Sequence, residues 1–177
     1  MILKTERLTL RPFTMRDLKT THAYASDPEN TPYMIHFPNK TIWGTRRHLK
    51  KVIAAWRKKN QRLYNFAVEL DGTHIGSVNV WLNDAGQGSL GWMIQKTHWR
   101  RGYATEAAKA VMAFARAELN VTTFSACCDH RNTASRRVME KLGMTLARET
   151  VGHGHYKHGP EEEIRELTYL LSQEDTP

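Results

Sequence analysis

The chain has 177 residues, of which 40% are hydrophobic and 25% charged, and it carries a formal net charge of +8. This length suits one domain with a full core and is short for two, so we expect a single domain over residues 1–177. Charges at Lys4, Glu6 and Arg7 interrupt the stretch where a signal peptide needs an apolar run, and no apolar run is long enough to span a bilayer. We expect neither a secreted nor a membrane protein.

The two cysteines, Cys127 and Cys128, are neighbours in a predicted strand. Side chains alternate along a strand, so the two thiols point to opposite faces and a disulfide between them would be strained. Free thiols are typical of a reducing compartment, which indicates a cytoplasmic location. No histidine pairs with them in the pattern, so we expect packing residues and not nucleophiles.

The positive charge is concentrated in one segment. No Asp or Glu occurs from Asn30 to Val68, a stretch that holds nine of the 26 lysines and arginines, while the other 17 are balanced by 18 acidic residues. Such a run is either a solvated helix face or a docking surface for an acidic partner. Contact of the 40–62 segment with nucleic-acid phosphates is a third interpretation.

The hydrophobic pattern predicts alternating strands and helices, which indicates a mixed α/β domain. Alternation at Leu8 and Leu10 predicts a strand that Pro12 helps to end, and Thr14 with Asp17 predicts a capping box that opens a helix toward residue 25. The other predicted elements are a helix through Leu49, Val52, Ile53 and Trp56, strands at about 64–70, 74–82, 89–94, 121–128, 145–151 and 164–171, and helices that end near Asn120 and Gly143.

Two predicted strand-to-helix junctions carry the clearest chemical signal. The first is Arg100-Arg101-Gly102, before an alanine-rich helix, and the second ends at Asn132, which is a good N-cap. Unpaired N–H groups and the positive end of the helix dipole favour an anion at such a junction. The spacings of the common nucleotide loops, GxxxxGK[ST] and GxGxxG, are absent. The first junction is therefore a phosphate cradle of another type or a tight turn with two exposed arginines.

Three segments together resemble the Gcn5-related N-acetyltransferases (GNAT), and within them the branch of bacterial ribosomal-protein N-terminal acetyltransferases (RimJ/RimL-like). They are TERLTLRPFTMRDL, LGWMIQKTHWRRGYATEA and NTASRRVMEKLGM, which keep the family's order over nearly the whole chain. The resemblance implies a central, mostly antiparallel sheet that splays at the cofactor site and is flanked by helices. It also implies transfer of the acetyl group of acetyl-CoA to a primary amine.

The family's pyrophosphate signature, Q/R-x-x-G-x-G/A, matches Trp99 to Ala104, with Trp99 in place of Gln or Arg. By resemblance, backbone amides of this turn bind the pyrophosphate of acetyl-CoA, and the end of the preceding strand binds the pantetheine arm. The cofactor-binding residues implied are Trp92, Met93, Ile94, Arg100, Arg101, Gly102, Tyr103, Ala104, Thr105 and Asn132.

The catalytic residues are less completely matched. Ser135 matches the branch's N-x-x-S motif, which implies that it assists the departing thiolate. Many relatives carry a general-base Glu where this chain has Ser89, so His153 and His155 are the candidate bases, against the alternatives of solvated loop histidines and water-relayed deprotonation. A metal site formed by these histidines with His158 has no neighbouring cysteine ligand, and we expect none.

The acceptor is inferred from charge. In relatives, the helices after the first strand form one wall of the acceptor site, and in this chain that region holds the excess of lysine and arginine. This implies an acidic acceptor, such as the N-terminus of an acidic protein or a ribosomal protein, and it disfavours polycationic amines. A small-molecule amine acceptor, a non-catalytic CoA-binding domain and a nucleic-acid-binding module stay as alternatives. The sequence leaves the oligomeric state, monomer or dimer, open.

Overall fold

A computed structural model describes residues 1–34, 40–153 and 163–172, without the side chain of His153. The strands are β1 (Leu3–Lys4), β2 (Leu8–Pro12), β3 (Leu63–Leu70), β4 (Thr73–Leu82), β5 (Gly88–Ile94), β6 (Phe124–Asp129), β7 (Thr145–His153) and β8 (Glu163–Leu171). The α-helices are α1 (Leu18–Ala25), α2 (Ile42–Ala55), α3 (Tyr103–Leu119) and α4 (Thr133–Lys141), with short 3₁₀ turns at Met15–Asp17 and Lys96–His98.

These strands form one sheet in the order β1-β2-β3-β4-β5-β6-β8-β7, and every neighbouring pair is antiparallel except β5 with β6. The predicted α/β class and mostly antiparallel sheet are confirmed. Within the described ranges, no helix has the length and apolar content needed to cross a bilayer.

The alternation of side chains along the strands divides the core into two layers. On one face, residues such as Phe66, Val78 and Leu90 pack against α3 and α4, where Val111 and Met139 are fully buried. On the other face, a smaller cluster joins the first two helices to the sheet. Its buried members are Phe13, Leu49, Val52 and Ala67.

The sheet opens between β5 and β6. These strands pair only at Gly88 with Phe124 and Ser89 with Ser125, after which β5 keeps its pairing with β4 while β6 keeps its pairing with β8. The result is a V-shaped cleft bounded by the end of β5 on one side and the end of β6 on the other. The splay expected at the cofactor site is therefore present.

Most local predictions hold, and the exceptions have physical causes. Thr14 and Asp17 form the predicted capping box, and Trp56 packs edge-on against Tyr64 and Phe66. For Trp43 the sequence allows either packing of the first helices or the lining of an acceptor pocket, and its 71% exposure excludes the packing role. The strand predicted from residue 121 begins at Phe124, because the preceding residues terminate α3. The N–H of Val121 there donates to the carbonyl of Ala115.

Candidate active site

The turn before α3 presents backbone N–H groups that no side chain caps. Gly102 is the N-cap residue, with a left-handed φ of 82°, and it has no side chain with which to cap the helix. Arg100 also has a positive φ, 62°, a conformation that costs a non-glycine residue about 1–2 kcal/mol. The first N–H groups of a helix have no partner within it, so those of this turn are available to an anion. Local strain at Arg100 is typical of a functional turn.

Trp99, which departs from the family signature, closes the loop between β5 and this turn. Its Nε1 donates a 2.6 Å hydrogen bond to the carbonyl oxygen of Ile94. The Ile94 carbonyl is therefore hydrogen-bonded to Trp99, and the Ile94 side chain is buried in the core. After Ser89, the edge of β5 as far as Ile94 has no partner strand in β6 and borders the cleft.

Tyr103, a predicted cofactor residue, has its side chain in the core. The ring is only 8% exposed, and the guanidinium of Arg7 lies 4.6 Å from its centroid. Its side chain therefore supports the turn, and what it can offer an anion is its backbone N–H. Ala104 and Thr105 follow it in the first turn of α3 and are half-buried.

Arg7 and Glu106 form a contact that the sequence pattern did not predict. In the sequence, Glu106 matches the branch pattern and most simply caps and solubilises the start of a helix. In the structure it accepts hydrogen bonds from the Thr5 hydroxyl (2.5 Å), the Arg7 N–H (3.0 Å) and Arg7 Nε (2.8 Å). Partial burial acts to raise the pKa of Glu106, but the hydrogen bonds from Thr5 and Arg7 lower it below its ordinary value. Arg7 also donates to the carbonyl oxygen of Arg101 (3.1 Å). No local periodicity signals a pair separated by 99 positions.

The second junction positions Asn132 and Ser135 as predicted for a helix start. Asn132 is the N-cap of α4, and its Oδ1 accepts from the N–H of Ser135 at 3.0 Å. In the part of the chain that the structure describes, the amide nitrogen of Asn132 makes no hydrogen bond. Since β5 and β6 are parallel, the helices that follow them begin at the same edge of the sheet. The two predicted junctions therefore flank the cleft.

The candidate bases belong to the end of β7 and to the residues that follow it. The backbone of His153 ends β7 and pairs with Glu163, but its side chain, and all of His155 and His158, lie outside the described residues. Elsewhere in the described chain, no three His, Cys, Asp or Glu side chains are grouped as metal ligands.

The cysteines flank the backbone of β6 on opposite faces. Cys128 packs partly against the core, whereas Cys127 is exposed, so the predicted packing role holds for Cys128 only. Partial burial, with the neighbouring Glu166, raises the pKa of the Cys127 thiol to about 11. Partial burial also raises the pKa of the Cys128 thiol to about 11. Both thiols are protonated at neutral pH, which does not favour a nucleophilic role.

Comparison with known proteins assigns the chain to one family. Residues 7–145 match the model of the acetyltransferase (GNAT) domain. The uncharacterized N-acetyltransferase YnaD of Bacillus subtilis is 27% identical over 81% of this chain and 82% of its own length. A GNAT-family acetyltransferase from Bacillus anthracis is 29% identical, with a TM-score of 0.82 over 98% of this chain and 99% of that one.

A further structural neighbour shares the fold at lower identity. It is the ribosomal L7/L12 α-N-protein acetyltransferase RimL in complex with coenzyme A, with a TM-score of 0.82 at 15% identity over 99% of this chain and 100% of that one. The chain belongs to the GNAT family of acetyltransferases. It is an N-acetyltransferase that uses acetyl-CoA as cosubstrate.

Proposed function

We propose that the chain acetylates the α-amine at the N-terminus of an acidic protein, a ribosomal protein being one candidate. The observation that carries this proposal is the absence of Asp and Glu from β4 and β5, the strands that border the cleft on one side. The basic outer face of α2 adds the preference for an acidic acceptor.

The cofactor side follows from the two helix starts. The N–H groups of Gly102 to Thr105, with the charges of Arg100 and Arg101, hold the pyrophosphate, and the open edge of β5 at residues 92–94 holds the pantetheine arm. The free amide nitrogen of Asn132 donates to the cofactor from the other side. Acetyl-CoA supplies an acetyl group activated as a thioester. To the Ser135 hydroxyl we assign the proton that the departing thiolate needs.

Strands β4 and β5 carry no acidic side chain on the acceptor side. Asn79 and Ser77 of β4 lie opposite Gly91 and Met93 of β5, on the face away from α3, and neither strand contains an Asp or Glu. An amine that approaches over these strands therefore meets no carboxylate on them that could take its proton.

This uncharged face favours an amine that is already neutral. An α-amine titrates near pH 8 and a lysine near pH 10.4, so at pH 7.5 the neutral fraction of the α-amine is roughly 200 times larger. A proton acceptor outside these strands would relax that requirement. His153 and His155, in and after β7, are the residues we propose for such a role.

The outer face of α2 supports an acidic acceptor. The helix packs on the sheet through Leu49 and Val52, and its opposite side forms a shallow groove. The groove is lined by Trp43, Arg46, Arg47, Lys50, Lys51 and Ala54. Across the described residues, none of these four cations pairs with a carboxylate, which leaves their charge available to a partner.

An acceptor panel tests the proposed function. Thiol release from acetyl-CoA is measured with peptides that have a free N-terminus followed by acidic, neutral or basic residues, with an Nα-blocked peptide containing one lysine, and with a polyamine. We expect the acidic peptide with a free N-terminus to give the highest kcat/KM. A preference for the blocked lysine peptide or the polyamine would overturn the proposal. Acetyl-CoA binding without turnover of any amine would favour a non-catalytic role.

The cofactor assignment is tested separately by calorimetry with Gly102→Glu. A carboxylate at this turn meets the anion directly, so acetyl-CoA affinity should fall by at least about 100-fold. Gly86→Glu is the matched control, because Gly86 also has a positive φ, 74°, and open space around it, in a turn outside the site. Equal losses in the two variants would show that backbone strain alone is responsible.

A further inference from the structure

Arg7 connects the N-terminal strands to the turn before α3 through four kinds of contact. Its Nε and Nη2 bind the Glu106 carboxylate at 2.8 and 2.6 Å, and its backbone N–H donates to the same carboxylate. Its Nη1 donates to the carbonyl oxygen of Arg101 at 3.1 Å, and its guanidinium stacks on Tyr103. One side chain thus contacts three of the six residues 101–106.

The contact with Arg101 fixes the direction of a peptide plane. In a trans peptide, the carbonyl of one residue and the N–H of the next point in opposite directions, and the structure contains no cis peptide among its described residues. Because the Arg101 carbonyl is directed at Arg7, the N–H of Gly102 points away from Arg7. At φ 82°, Gly102 has little steric restraint of its own on this orientation.

The contact with Glu106 anchors the guanidinium. Glu106 lies in the first turn of α3 and is rigidly held, since Thr5 and the Arg7 backbone also donate to it. Two nitrogens of the Arg7 guanidinium, Nε and Nη2, are therefore bound to a fixed carboxylate, and the third, Nη1, donates to the carbonyl oxygen of Arg101 in the turn. A lysine has a single charged nitrogen and cannot reproduce this two-ended geometry.

We propose that Arg7 is a positioning residue for acetyl-CoA: anchored on Glu106, it orients the Arg101–Gly102 peptide so that the Gly102 N–H faces the pyrophosphate. This inference rests on the proposed assignment of the turn to the pyrophosphate. Arg7 acts through the backbone of the turn, so its effect is confined to donors that carry a pyrophosphate.

The test compares two acetyl donors, acetyl-CoA and acetyl-pantetheine, which lacks the pyrophosphate. For Arg7→Lys, we expect the KM and Kd for acetyl-CoA to rise about 10- to 100-fold, the effect of one or two charge-assisted hydrogen bonds, while kinetics with acetyl-pantetheine stay unchanged. The acceptor KM should not move. Arg62→Lys is the matched control, because Arg62 forms an exposed ion pair with Asp84. It should leave both donors unaffected.

The double variant Arg7→Ala/Glu106→Ala separates positioning from simple charge compensation, and its thermal unfolding shows whether it folds. Positioning predicts that acetyl-CoA binding stays weak in the double variant, because the peptide is no longer held. Recovery to the wild-type affinity would overturn the proposal, since it would mean that Arg7 only neutralises Glu106. Equal losses with both donors in Arg7→Lys would overturn it as well. If the wild-type protein binds both donors equally, the pyrophosphate assignment itself fails, and this proposal with it.

Discussion

The Nε1 of Trp99 lies 2.6 Å from the carbonyl oxygen of Ile94 and ties the last residue of β5 to the start of the cofactor turn. The loop between them has only the short 3₁₀ turn at Lys96–His98. The indole N–H is a side-chain contact between the two ends of this loop, in the place where the family signature has Gln or Arg. In the middle of the loop, Lys96 is held by Asn30, Asp27 and Glu29.

Trp99→Phe should remove that hydrogen bond while keeping an aromatic ring. We expect the free energy of unfolding to fall by about 1 kcal/mol, because the Ile94 carbonyl loses its partner, and acetyl-CoA affinity to fall a few-fold. Chemical denaturation and calorimetry measure the two effects. Trp43→Phe makes the same change on a side chain that is 71% exposed, and it should alter neither quantity. A Trp99→Phe variant as stable as wild type would remove the loop-closing role.

Asn132→Asp should separate helix capping from cofactor binding. The Oδ1 of Asn132 caps α4, and an aspartate keeps that acceptor and suits the positive end of the helix dipole. The amide donor is lost, so we expect unchanged thermal stability and a raised KM for acetyl-CoA. Asn132→Ala removes both functions and should also lower stability by about 1 kcal/mol. An Asn132→Asp variant with the wild-type KM would leave Asn132 with the capping role alone.

Charge reversal on and after α2 should affect the acceptor and not the cofactor. In the triple variant Lys50→Glu, Lys51→Glu and Lys58→Glu, we expect the KM of an acidic acceptor to rise and the KM of acetyl-CoA to stay constant. The effect should shrink as ionic strength rises, since exposed charges are screened.

The control for this experiment reverses the same number of charges on the other side of the molecule, at the exposed residues Lys109, Lys141 and Arg148. Equal effects in the two triple variants would attribute the change to net charge and not to the α2 groove.

His74 lies in a buried polar cluster beside the start of the chain's first helix. Its Nε2 donates to the Gly76 carbonyl (2.8 Å), and its Nδ1 contacts the Thr20 hydroxyl (2.6 Å). The Asp17 carboxylate is 4.0 Å away and is itself held by Arg11, which also pairs with Glu69. Burial lowers the pKa of His74 below its ordinary value of 6.5, although Asp17 acts to raise it. Burial acts to raise the pKa of Asp17, but hydrogen bonds from Arg11 and Thr14 lower it below 3.8.

Both shifts predict lower stability in acid. Where the folded pKa is below the unfolded one, the unfolded chain binds more protons, so stability falls as the pH falls. We expect the loss from His74 to begin near pH 6.5, with a slope of at most about 1.4 kcal/mol per pH unit, and the loss from Asp17 to begin near pH 3.8.

Chemical denaturation as a function of pH measures both losses. His74→Gln keeps a donor for Gly76 and should reduce the first loss and leave the second unchanged, since burial also lowers the pKa of His48 and that residue supplies the rest of the first loss. A first loss of the same size in that variant would exclude His74 as its source.

The sequence predicted the parts of this protein that depend on local periodicity and helix-start chemistry. The alternation along β5 and the N-cap character of Asn132 depend on a few neighbouring residues, so the sequence predicts them directly. The separation of β5 from β6 was predicted only by the family resemblance. Contacts between Arg7 and Glu106, or His74 and Asp17, join residues far apart in the chain, and no local pattern encodes which polar groups meet. For Trp43 the sequence could not separate packing from an exposed position, because an aromatic residue at the start of a helix suits either, and the structure places it on the exposed side of α2.

Strands β5 and β6 pair at only two positions, so each of them has an unpaired edge in the middle of the sheet. An ordinary sheet edge exposes unpaired backbone groups to any extended chain and invites aggregation. Here the two unpaired edges converge at Ser89 and Ser125, so they are the two sides of one cleft inside the sheet and not its outer edges. An extended chain that paired with either edge would have to enter this cleft, which the outermost strands β1 and β7 do not require.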